Sequence, residues 1–114
     1  MNPIIRKCEK VLEKHYGKQF RGLVLYGSMA RQQANDWSDI DLLVLLSGSF
    51  NYFVELQRIV DLLYPVQLES NRLISAKPAA VNEFEEGKIA LYRIAKREGA
   101  AYPFSVKPVL GKNS

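Results

Sequence analysis

Two aspartates one residue apart, Asp39 and Asp41, follow a Gly27-Ser28 pair with ten residues between Ser28 and Asp39. On a β-strand such acids point to one face, roughly 7 Å apart at Cα, where they repel each other and add little to a core. Their oxygens suit a hard divalent cation, Mg²⁺ or Mn²⁺, whose shell is completed by substrate phosphates. Gly27 lets backbone approach a phosphate closely, and the free N–H groups of a helix starting at Ser28 attract anions. Arg31 follows one turn later on the same helical face, either to add charge to the phosphates or to pair with Asp36 or another carboxylate. Together these residues describe a site for a cation and a nucleoside triphosphate.

The flanking elements have to aim both halves at one point. Asn2-Pro3 reads as an N-cap and first helical turn, and Ile4, Ile5, Cys8, Val11 and Leu12 recur at helical spacing until Gly17. Phe20 to Tyr26 reads as the first strand, and a short helix is expected from Ser28 to about Gln33. Asp39 to Leu46 reads as the second strand, apolar on both faces beyond the aspartates, hence central with its acids at a rim. Asn51 to Tyr64 is expected as an amphipathic helix ended by Pro65, then a short third strand at Val66 to Glu69. Pro78 to Glu86 reads as a helix closed by Gly87, and Ile89 to Ile94 is apolar without a clear period. These expectations add up to an α/β sandwich, a small mixed sheet of three to four strands flanked by helices. They give one domain over residues 1–99 and an extended or disordered tail over 100–114.

Composition narrows the partners. The chain has 114 residues, a net charge of +4 and 47% hydrophobic residues, as expected of a single globular domain. No apolar stretch is long enough to span a membrane, and the N-terminus lacks the form of a signal peptide, which predicts a cytoplasmic protein. Cys8 is expected as a core residue and His15 as a surface residue at a helix end. Six basic residues against Glu98 alone follow residue 87, a patch able to attract a nucleotide or an acidic partner. No aromatic-interleaved signature accompanies it, which disfavours nucleic acid as the main ligand.

Gly27-Ser28-x-Ala30-Arg31 followed by Ser38-Asp39-Ile40-Asp41-Leu42-Leu43-Val44 resembles the polymerase-β-like nucleotidyltransferase superfamily. The closer resemblance is to its smallest branch, the minimal nucleotidyltransferase (MNT) proteins. Gln32 departs from the glycine common there. The resemblance implies a polymerase-β palm-like fold, ATP as substrate, two Mg²⁺ or Mn²⁺ ions both held by Asp39 and Asp41, and phosphate contacts from Gly27, Ser28 and Arg31. Relatives use a third carboxylate on a neighbouring strand. Here the matching stretch, Pro65-Val66-Gln67-Leu68-Glu69, puts an amide at the expected place and Glu69 two residues on. Either Glu69 serves as the third catalytic and metal-binding carboxylate, or two aspartates suffice, or activity is reduced or lost. MNT proteins commonly act in a complex as antitoxins of small helical HEPN toxins. The resemblance thus implies transfer of AMP to a toxin hydroxyl; the alternatives are a catalytically weak or inactive antitoxin or regulator that works by binding alone, and a transferase acting on a small molecule or a nucleic-acid end.

Overall fold

Strand β2, Ile40–Leu46, is buried on both faces along nearly its whole length, and the fold is built around it. The structure is a computed structural model and describes residues 2–31, 35 and 38–99. Strand β1, Phe20–Tyr26, pairs antiparallel with β2, and strand β3, Ile74–Ala80, pairs parallel with its other edge. The result is a three-stranded mixed sheet in the order β1-β2-β3, flanked by helices, as expected.

Two layers cover the sheet. Helix α1, Pro3–Tyr16, begins at Asn2, whose side chain accepts the Ile4 N–H at 2.8 Å, and ends at Gly17. Ile5, Cys8 and Leu12 of α1 pack with Ile59, Leu63 and Val66 of helix α2, Tyr52–Glu69. Both meet the even positions of β2, namely Ile40, Leu42, Val44 and Leu46. On the other face, Leu43 and Leu45 meet Val81 and Phe84 of helix α3, Val81–Glu86, and Tyr92 and Ala95 of helix α4, Ala90–Gly99. A bulge at Gly22, with φ near 138°, adds one residue to β1 and keeps Phe20 on the same face as Leu23 and Leu25.

Four expectations are corrected. Helix α2 does not stop at Pro65 but continues to Glu69. A proline inside a helix costs about 3 kcal/mol. Pro65 and Asp61, whose carbonyl loses its intrahelical donor, are both exposed, so water can replace that bond. Val66 is buried in the next turn, which contributes roughly 1.5–3 kcal/mol. Gln67 then ties the helix end to β3, accepting the Ile74 N–H at 2.7 Å and donating to the Arg72 carbonyl at 2.9 Å. The third strand is therefore Ile74–Ala80, and the expected strand at Val66 to Glu69 is helix. Pro78 lies in that strand, not in the helix expected to begin there; an outer strand tolerates a proline because half of its N–H groups face away from the sheet. In place of the helix expected from Ser28, residues 27–31 form a single turn closed by the Arg31 N–H on the Gly27 carbonyl at 3.1 Å. The rest of that expected helix, and the tail expected from residue 100, lie outside the described residues.

Among the described residues no helix is long and apolar enough to cross a membrane.

Candidate active site

Antiparallel pairing sets the geometry. Because Tyr26 ends β1 opposite Asp41 near the start of β2, the turn leaving β1 and the acids entering β2 share one edge of the sheet. Gly27 follows with φ near 78°, a conformation that favours glycine. A methyl group on its Cα would stand 2.4 Å from Asp41 Oδ2, so the carboxylate rests directly against the turn. Both conditions exclude a side chain at 27. The structure brings Gly27 and Asp41 into contact, with Ser28 next in the turn.

Asp39 is exposed and Asp41 half-buried. Burial raises the pKa of Asp41 above the ordinary carboxylate value, and the charge of Asp39 raises it further. Lys77 and Arg31 lower it, and Glu98 adds to the rise. Neither aspartate forms an ion pair among the described residues. Across the ladder, the hydroxyl of Tyr26 is pushed up to about 12 by burial and by the Asp41 charge. An acid pair with one member half-buried and neither held in an ion pair among the described residues is a donor set that a single divalent cation fits, with phosphate oxygens filling its shell. It does not make a three-carboxylate site: among the described residues no group of three or more His, Cys, Asp or Glu could hold a metal.

Glu69 is not brought to the site. It ends α2, the layer that packs on the even face of β2, whereas Asp41 lies on the odd face. Its carboxylate pairs with Lys7 of α1, both about half exposed. The residue of β3 beside Asp41 is Ser75, followed on the same face by Lys77, and β3 holds no acid.

Three residues that sequence reasoning missed complete the surroundings. Glu98 of α4 accepts the Gly27 N–H at 2.8 Å and an Arg31 guanidinium N–H at 2.7 Å. These bonds hold its carboxyl below the usual carboxylate range, the Gly27 N–H contributing most. One carboxylate thus sits on two donors of the turn that were expected to receive phosphate. Arg72, between α2 and β3, donates to the carbonyls of Asn35 and Ser38, the latter at 3.0 Å, and braces the chain leading into Asp39. Lys77 is the third. None of the three is signalled locally, since each depends on pairings far apart in sequence.

Residues 6–96 match the family described as Polymerase beta, Nucleotidyltransferase. The chain is similar to a candidate nucleotidyltransferase from Sulfolobus solfataricus known from a crystal structure. The two are 21% identical, with a TM-score of 0.47, over 73% of this chain and 72% of the other. No curated protein matches the chain. With its Gly-Ser turn set against the acid pair and most of its length matched, the chain belongs to the polymerase-β nucleotidyltransferase family.

Proposed function

We propose that this chain moves a nucleoside monophosphate, AMP from ATP, onto a hydroxyl of a partner protein. The contact between Gly27 and Asp41 carries the reading, because it sets an anion-receiving turn and a cation-receiving acid at one point. Asp39 and Asp41 would hold Mg²⁺ (or Mn²⁺), which when bound activates an attacking hydroxyl and offsets charge on the departing pyrophosphate. Ser28 and the turn backbone would hold the β- and γ-phosphates. Arg31 would join them by exchanging Glu98 for phosphate oxygens. Residues 1–99 are the transferase domain on this reading. On this reading the acceptor hydroxyl is presented by another molecule. The resemblance to MNT proteins makes a HEPN-type toxin the expected partner and its neutralisation the outcome.

A second reading is favoured by two observations: β3 carries no acid, and Glu98 already occupies the turn. On that reading the chain is an antitoxin or regulator that acts by binding alone. Labelled ATP, Mg²⁺ and the product of the adjacent gene separate the two. Label on the partner with the native chain, lost with Asp39→Asn plus Asp41→Asn, supports transfer. Inhibition of the partner that survives both substitutions, without label, establishes binding alone.

A further inference from the structure

Strand β3 lies parallel to β2 with Asp41 beside Ser75 and Leu43 beside Lys77. Side chains two apart on a strand share a face, so Ser75 and Lys77 stand on the face of Asp41. Lys77 leans back along its strand, its Nζ 3.4 Å from Ser75 Oγ, towards the row that holds Asp41. It is half-buried, and among the described residues it forms no ion pair. A half-sheltered ammonium beside an acid pair, bonded to neither acid, is placed to receive an anion that arrives later.

Charge counting says which anion and how many cations. Two aspartates offset one divalent ion; the carboxylate of Glu98, also near Asp41, is held by the Gly27 N–H and Arg31, and no acid on β3 is present to offset another ion. A second ion would also sit close to a fixed ammonium, and like charges a few Å apart in a sheltered site repel strongly. An ammonium is a compact charge with three donors, suited to phosphate oxygens. We infer that Lys77 is a phosphate-binding residue of the transferase site, and that its ammonium stands in for a second metal ion, so that the site takes one divalent cation per nucleotide. The inference rests on the nucleotidyltransferase reading of the site.

Counting bound Mn²⁺ tests it without any turnover. The chain is titrated with Mn²⁺ at saturating α,β-methylene ATP, and free Mn²⁺ is followed by its electron paramagnetic resonance signal. The native chain should bind one Mn²⁺ per nucleotide. Lys77→Asp, which returns an acid to β3, should raise the count to two. Lys77→Met should keep one Mn²⁺ while weakening the nucleotide about tenfold, the loss expected for one charge-assisted hydrogen bond. Two Mn²⁺ on the native chain, or unchanged nucleotide affinity in Lys77→Met, would overturn the role of Lys77 and leave the nucleotide site standing. Mn²⁺ and nucleotide binding that is absent from the native chain, or that survives Asp39→Asn with Asp41→Asn, would remove the site itself and Lys77 with it. The native count decides the matter even if a variant fails to fold.

Discussion

Gly27 is the residue at which backbone conformation and site geometry meet. Gly27→Ala would place a methyl group 2.4 Å from Asp41 Oδ2 in a left-handed conformation. We expect a loss of about 1–3 kcal/mol in urea unfolding from the backbone alone. Mn²⁺ binding should weaken as well, because Asp41 has to move aside. Asp41 gives a pH signature. Its folded pKa is raised, so the ionised acid favours the unfolded chain, and stability is lost as pH rises through the interval above the ordinary value of 3.8. Asp41→Asn should therefore melt at a higher temperature than the native chain at neutral pH without divalent metal, and the gap should close below that ordinary value. Added Mg²⁺ should raise the melting temperature of the native chain only. The approach of Gly27 to Asp41 was legible in the sequence because a Gly-Ser turn after one strand and an acid at the head of the next are local signals. Lys77 and Glu98 were not, because their places depend on a strand register and on a helix docked 71 residues from the glycine it touches.

At the level of elements, the passage of α2 through Pro65 decides which acids take part. The proline reads as a stop, and the strand inferred after it put Glu69 at the site. The helix continues because its next turn buries Val66 and anchors Gln67, neither of which a propensity argument weighs. Glu69→Gln should leave nucleotide binding unchanged and alter stability by no more than about 1 kcal/mol, the usual size for an exposed ion pair. β3 was missed for a related reason: Ile-Ser-Ala-Lys-Pro-Ala-Ala has few β-favouring residues and a proline, and pairing with β2 outweighs that composition. Helix α4 brings Glu98 against the turn, where its carboxylate competes with any phosphate for Gly27 and Arg31. Glu98→Gln should tighten α,β-methylene ATP roughly two- to fivefold, as removal of one competing charge predicts; calorimetric titration would measure it.

Across the whole molecule, the sandwich is unequal. The α1/α2 layer carries the larger apolar cluster, and the α3/α4 layer, which faces the acids, the smaller. The central place of β2 was visible in its double-sided apolar pattern. The division of helices between the layers was not, since it follows from the parallel crossover through α2. Amide hydrogen exchange should find α4 and the turn at 27–31 opening well before α1 and β2, with Mn²⁺ and nucleotide slowing exchange at the turn and the start of β2.

Because the glycine and the acid it touches belong to different strands, their contact also acts as a gauge of alignment. A slip of one position between β1 and β2 would turn Asp41 to the opposite face and leave the glycine against an apolar side chain. Such a misaligned chain would have no seat for a cation. On the proposed function, uptake of Mn²⁺ would therefore count only molecules whose first two strands have come together correctly.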